Sequence, residues 1–320
     1  MSMIIDHSPR NAYGIVGTAL ADTNDVQAAL RASSLNYKME LVPAQAAVLL
    51  ADGVSTLTAP HTFLTVKRDA DGSAKVLKGS VGNQYAFIQN DFAVDLLQRV
   101  VESSGAKLGA MGYTHDGART FAQLLLPEGL TVGGRDPIDL SIIGVNSHDG
   151  SSKFTLAPMA TRFYCTNQLP GIVRTETKFS LTHSKRELQF NMEEVRHALE
   201  LTGVYAEEIQ EIGNKLVEVP MPKKEFLEFI DVISPKSIDK KTEEETSGSQ
   251  DRRMWLEDNF LNAPNLDNVR FTRWAAWQTF VEYADFAKPA KGANGQARRI
   301  IARTEDANKW EVAKKLLVGV

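Results

Sequence analysis

The chain has 320 residues, of which 43% are hydrophobic and 24% are charged, and its formal net charge is −4. This composition is ordinary for a globular protein and excludes a chain that is disordered throughout. The single cysteine, Cys165, excludes an internal disulfide and a cysteine-based zinc cluster. The first residues lack a secretory signal, and no apolar stretch is long enough to span a bilayer. We therefore expect a cytoplasmic protein.

The first third of the chain predicts two helices with strands between them. Apolar residues at helical spacing predict a short helix over residues 24–35, with Thr23 as its N-cap. Asn90 is expected to cap a second helix over residues 91–103. Three strands are expected between these helices, over residues 37–43, 63–68 and 73–78.

Two further hairpins are predicted around the same tripeptide, His-Asp-Gly. The first turn is His115–Gly117 and the second is His148–Gly150, because glycine accepts the positive φ that such turns require. We interpret Asn146, His148, Asp149 and Gly150 as structural residues that fix the second turn. The strands around both turns are expected over residues 107–113, 119–126, 138–146 and 153–165, followed by a last strand over 174–183.

The second half of the chain changes to a helical period. From Met192 onwards apolar residues recur every three or four positions, and residues 224–233 continue this pattern. The polar residues 235–253 predict a linker or mobile loop. An aromatic helix over residues 269–286, which we interpret as core, and a final helix over 306–317 complete the chain.

These elements predict an α+β fold in which helices pack on an antiparallel sheet of β-hairpins. We divide it into a β-rich core domain over residues 1–190 and a helical region over residues 191–320.

Charge is distributed unevenly along the chain. Residues 151–186 carry six bases and one acid, whereas residues 187–269 carry nine bases and 19 acids. Residues 270–320 are basic again, with ten bases and five acids. Two basic segments in an acidic protein indicate a surface for a polyanion. The alternative is that the charge blocks are ordinary solvated surface.

The basic β segment is the strongest candidate for a nucleic-acid interface. Tyr164 and Asn167 lie among its bases and suit base stacking and hydrogen bonding along a single strand. We predict phosphate contacts at Lys153, Arg162, Arg174, Lys178, Lys185 and Arg186. A second contact is predicted at Arg298, Arg299 and Arg303. The alternative is a solvated strand edge that Lys and Arg protect from aggregation.

The histidines and the cysteine offer catalytic alternatives. Adjacent His and Asp can ligate divalent metals, so His148, Asp149 and His183 are candidates for a metal-dependent nuclease or hydrolase. Cys165 beside His148 or His183 would be a nucleophile–base pair, but a lone cysteine in a strand is more often a small buried hydrophobe. No GK[ST] phosphate loop is present. We expect no catalytic residue, no metal and no other cofactor.

Four short motifs occur in a fixed order along the chain. They are Y-x-x-x-Q-N at Tyr85–Asn90, N-S-H-D-G-S at Asn146–Ser151, R-x-x-C-x-N-x-L at Arg162–Leu169, and His183-Ser184. A tryptophan-containing helix at Trp274–Phe286 follows them. In this order the motifs resemble a family of phage- and plasmid-borne proteins that carry a domain of unknown function.

The resemblance implies a context and a fold. Hairpins followed by helices are similar to Rad-type single-strand annealing proteins, which bind single-stranded DNA in the basic groove of an oligomeric ring without a nucleotide. The expected function is single-stranded DNA binding and strand annealing in phage or plasmid recombination or replication. The expected partners are single-stranded DNA, further copies of the chain, and a phage exonuclease or single-strand-binding protein, but no membrane. A metal-dependent nuclease and an oligomeric protein that blocks a host defence factor remain alternatives.

Overall fold

A computed structural model describes residues 17–23, 25–162, 179–185 and 192–287, together with Gly295, Arg298 and Leu317. The strands of the described residues are β1 Thr18–Thr23, β2 Lys38–Leu50, β3 Gly53–Arg68, β4 Ala74–Gly82, β5 Lys107–Thr114, β6 Arg119–Leu125, β7 Leu130–Val132, β8 Asp136–Ser147, β9 Phe154–Arg162 and β10 Phe179–Leu181. The helices are α1 Val26–Ala32, α2 Asn90–Ser104, α3 Met192–Glu218, α4 Lys223–Ile233, α5 Ser247–Asn262 and α6 Arg273–Glu282. Short 3-10 turns lie at His115–Gly117 and Pro264–Leu266, and a π-helical turn at Tyr283–Ala287 extends α6.

The strands form two antiparallel sheets, which confirms the predicted α+β class. The larger sheet has the order β1-β5-β6-β8-β9-β10, and β7 pairs with the start of β8. The smaller sheet has the order β2-β3-β4. In the described part of the chain, no helix is long and apolar enough to cross a membrane.

The register of the large sheet brings the two His-Asp-Gly turns together. Arg119, the first residue of β6, pairs with Ser147, the last residue of β8. The backbone N–H of His148 donates to the carbonyl of Ala118, with 2.7 Å between nitrogen and oxygen. Both predicted turns are therefore confirmed, and they lie side by side at one end of the sheet.

Helices cover the sheet in two regions. Near the turns, α1 and α2 pack on apolar residues such as Ile142 and Phe154. Toward the other end, α3–α6 pack on Ile138 and Ala160. Trp274 in α6 is fully buried, which confirms the interpretation of the aromatic helix as core. The helical region is anchored directly on the sheet.

Two helix caps differ from the prediction. Asp25, not Thr23, caps α1, because its carboxylate accepts the N–H of Ala28 at 2.9 Å. Asn90 is the first residue of α2 and its side chain does not cap the helix; it points inward to partners in other elements. A helix-start motif in sequence cannot distinguish such a tertiary role from a cap.

The predicted linker at residues 235–253 is partly wrong. Its second half, from Ser247, is the first part of α5. Its first half forms a compact turn in which Ile238 and Glu245 make an isolated β-bridge. Arg253 then binds a carboxylate of α4. Polar composition indicated a loop because α5 lacks an apolar stripe in its first two turns.

The aromatic helix is also shorter than predicted. It begins at Arg273 with Thr272 as its N-cap, whose hydroxyl accepts the N–H of Ala275 at 3.2 Å. Phe271 has a φ of 57°, which ends any continuous helix before this point. Of the predicted helix over residues 306–317, only Leu317 lies within the described residues, and it is buried.

Candidate nucleic-acid interface

Residues from three of the motifs meet beside the paired turns. The ring of Tyr85 stacks on the imidazole of His183, with 5.2 Å between centroids and an interplanar angle of 17°. The Tyr85 hydroxyl donates to the carbonyl of Ser147 at 3.1 Å. Tyr85 and Ser184 also form an isolated β-bridge. Segments that are far apart in sequence thus form one compact cluster at this end of the sheet.

His148 is held in one tautomer at the centre of this cluster. The Asn90 amide donates to the carbonyl of Leu35 at 3.0 Å, so its oxygen faces His148 Nε2 at 2.9 Å and must accept. His148 Nε2 therefore carries the proton. Among the described residues His148 Nδ1 has no hydrogen-bond partner, and His148 is fully buried. A second proton on Nδ1 would therefore be an unsatisfied buried charge.

The second turn is closed by its own side chains. Asp149 accepts hydrogen bonds from the Ser147 hydroxyl at 2.8 Å and from the Ser151 backbone at 3.0 Å. Burial opposes ionisation of this carboxyl, but the bonds from Ser151 and Ser147 outweigh it, so the pKa of Asp149 is lowered. Gly150 has a φ of 74°, which an L side chain rarely adopts. The structural role predicted for Asn146, His148, Asp149 and Gly150 agrees with these contacts and with the Asn146 bond to the Ile88 carbonyl at 2.7 Å.

We call four basic residues that lie beside the cluster or the two turns the basic end: Arg119, Lys153, Lys185 and Arg298. Arg119 Nε donates to the Ser151 hydroxyl at 3.2 Å. Lys153 is exposed and directly precedes β9. Lys185 is exposed, and its backbone N–H donates to the Gln84 carbonyl next to Tyr85, at 3.2 Å.

Arg298 belongs to the basic end because its charge affects the pKa of His115 in the first turn. Burial, then Arg298 and then Arg119 lower the pKa of His115. Arg298 itself is exposed. Three predicted phosphate contacts, Lys153, Lys185 and Arg298, are therefore brought together although they come from separate segments.

Arg119 was missed by the sequence reasoning. It lies within residues 1–150, which carry 11 bases and 15 acids and so appear acidic as a whole. Its closeness in sequence to the first His-Asp-Gly turn could have marked it as a candidate, but only the pairing of β6 with β8 places it beside the second turn.

The prediction that Arg162 contacts phosphate is corrected by its position. Arg162 is 0% exposed and lies at the far end of β9, roughly 30 Å from Lys153 at about 3.3 Å per residue. Its guanidinium binds the Asp136 carboxylate at 2.7 and 2.9 Å and the Asn265 carbonyl at 2.6 Å. Trp274 donates to the same carboxylate at 2.6 Å. Arg162 therefore joins the sheet to the helical region.

The other predicted contacts lie outside the described residues. They are Tyr164, Asn167, Arg174, Lys178, Arg186, Arg299 and Arg303, and the alternative nucleophile Cys165 lies there too. Within the described ranges, no three His, Cys, Asp or Glu side chains are grouped so that they could hold a metal ion.

The two buried histidines predict an acid-sensitive fold. Burial lowers the pKa of His148 to about 3 and that of His183 to about 4; the Ala86 backbone and Asp149 partly oppose this at His183. Because the unfolded chain takes up these protons near pH 6.5, stability is full above that pH and is lost as the pH falls toward the folded values. Each histidine costs about 1.4 kcal/mol per pH unit, or roughly 4 kcal/mol for both between pH 6.5 and 5.

Urea unfolding at pH 7 and pH 5 measures this loss. His183→Gln should remove about half of the pH dependence, whereas His197→Gln, on the exposed surface of α3, should leave it unchanged. Equal stability of the unmodified chain at both pH values would contradict the neutral buried state.

Comparison with known proteins places this arrangement in a family. The sequence model of DUF932, described as a domain of unknown function, matches residues 78–314. The match covers well over half of the chain. The chain belongs to the DUF932 family. No curated protein and no solved structure matches it.

The DUF932 match includes the cluster but only part of the small sheet. It begins inside β4, so β2 and β3 precede it. Tyr85, Asn90, His148 and His183 all lie within it. The cluster and the basic end therefore belong to the matched DUF932 region.

Proposed function

We propose that this DUF932 protein binds single-stranded DNA at its basic end and promotes strand annealing, as a nucleotide-independent homo-oligomer in phage or plasmid recombination or replication. The observation that supports this most is the convergence of Arg119, Lys153, Lys185 and Arg298 on one end of the large sheet. Neighbouring acids are already engaged. Asp116 pairs with Lys75 at 3.1 Å, and Asp149 closes its own turn.

The cluster gives these bases a fixed platform. Lys153 and Lys185 follow segments that are pinned by Asp149 and Tyr85 respectively. Their long side chains can move while their backbones stay in place. Such an arrangement can bind the phosphates of a flexible nucleic-acid strand of any sequence, because phosphate contacts carry no base information.

Fluorescence anisotropy of a labelled 30-nucleotide strand, titrated at 50 to 300 mM salt, tests the proposal. Four phosphate contacts predict a slope of about −3 in log affinity against log salt, at about 0.7 per contact on a single strand. A duplex of the same sequence and an annealing assay with two complementary strands then separate single-strand binding from general DNA binding. Absence of binding at 50 mM salt would contradict the proposal.

The same titration distinguishes the alternatives. A metal-dependent nuclease would shorten the strand when Mg²⁺ or Mn²⁺ is added, whereas annealing leaves it intact. A protein that blocks a host defence factor would show no affinity for DNA in this assay and would retain a host protein partner.

A further inference from the structure

The far part of the β2–β3 hairpin extends beyond the rest of the small sheet. We call residues 45–58 the distal hairpin; in it Gln45–Leu50 pairs with Gly53–Thr58. Strand β4 pairs with β3 only from Thr62 onward. Within the described residues, both edges of the distal hairpin therefore lack a neighbouring strand.

The distal hairpin is also exposed on both faces and almost uncharged. Leu49 is 79% exposed and Val54 is 72% exposed, and these two residues face each other across the strands. Leu57 is 53% exposed. Between residues 41 and 66 the only charged side chain is Asp52, at the turn.

A two-stranded hairpin of this kind is not expected to stand alone in water. Two strands without a packed face are marginally stable at best. Monomeric proteins protect such edges with charged side chains, especially Lys, but Gln45–Leu50 contains none. The hairpin therefore has the properties of a strand pair that a partner completes.

We propose that the distal hairpin is the self-association element of the protein and that it pairs with the distal hairpin of a second copy. This inference specifies the homo-oligomer of the proposed function. Antiparallel pairing of β2 with β2 of the second copy, about a two-fold axis, would join two three-stranded sheets into one of six strands. Such an isologous contact sets the same uncharged surface against itself, which is the commonest arrangement in homo-oligomers.

The chemistry of the hairpin disfavours other occupants. DNA requires bases, and there is no Lys or Arg from Leu41 to Val66. Membrane-surface segments are rich in Lys, Arg and Trp, which the distal hairpin lacks. A charged protein partner would find no complementary charge except Asp52.

The position of the hairpin also separates it from the matched domain. Strands β2 and β3 lie before residue 78, where the DUF932 match begins.

Light scattering coupled to size exclusion tests the inference on the full chain without DNA. The unmodified chain should have a mass of at least twice the 35.3 kDa of one copy. The double variant Leu49→Glu/Val54→Glu should fall to the mass of one copy while its circular dichroism spectrum is retained, because both side chains are exposed in the single chain. Met254→Glu, at a position 68% exposed on α5, is the matched control and should keep the oligomer.

A monomeric unmodified chain, a polydisperse aggregate in place of a discrete oligomer, or an unchanged mass in the double variant would overturn the inference. So would a monomer that floats with vesicles of phosphatidylcholine and phosphatidylglycerol through this hairpin. Failure of the proposed function gives a different result. An oligomer that does not bind the labelled strand keeps the inference, whereas a monomer that binds it keeps only the DNA-binding proposal.

Discussion

Replacing Arg162 with alanine should destabilise the fold by about 3–5 kcal/mol. The substitution leaves the Asp136 carboxylate, which is 0% exposed, without its cation. Trp274 and Asn268 would still donate to that carboxylate, at 2.6 and 2.9 Å, but two neutral donors do not replace a guanidinium. The Asn265 carbonyl would also lose its donor.

Urea unfolding at pH 7 measures this effect. Arg68→Ala is the matched control, because Arg68 pairs with Glu40 on the surface, where 48% of the arginine side chain is exposed, and should cost less than about 1 kcal/mol. The double variant Arg162→Ala/Asp136→Ala should lose less than the sum of the two single losses, since the second substitution removes the unpaired charge. A cost for Arg162→Ala equal to that of the control would show that the pair is not buried in solution.

Arg162 also shows where prediction from sequence stops. The strand around it is predicted correctly from the turn that precedes it, because a turn is a local signal. The burial of the Arg162 side chain is not predicted, because its partners are distant in sequence. Asp136 is 26 residues away and Asn265 is 103 residues away. A basic residue in a basic segment is interpreted as a surface residue until the fold shows that it meets a buried carboxylate. The same limit applies to Asn90. Its position before an apolar run predicts a helix cap, but its side chain bonds to His148, which is 58 residues further along the chain.

The candidate site could likewise be predicted only in part. The twin turns were predicted from Asp-Gly chemistry, and the structure confirms both. That they adjoin each other depends on the pairing of β6 with β8, which no local pattern specifies. The grouping of Lys153, Lys185 and Arg298 depends on the same register and on the stacking of Tyr85 on His183. Composition could therefore name candidate bases but could not separate those at the basic end from Arg162.

The bases of the basic end should carry most of the affinity for DNA. The triple variant Lys153→Ala/Lys185→Ala/Arg298→Ala removes three phosphate contacts, so the salt slope should become less steep by about 2, at about 0.7 per contact. The same relation predicts an affinity loss on the order of 100-fold at 0.1 M salt. All three side chains are exposed, so the unfolding free energy should stay within about 0.5 kcal/mol of the unmodified chain.

A matched triple variant decides whether position or mere charge matters. Lys224, Lys236 and Lys240 are exposed on α4 and the turn that follows it, and their replacement by alanine changes net charge by the same amount. If phosphates bind at the basic end, this control keeps the salt slope and loses little affinity, because charges beyond a Debye length of about 10 Å at 0.1 M salt are largely screened. Equal losses of affinity in both triple variants would mean that DNA binding depends on overall charge. The basic end would then not be the DNA interface.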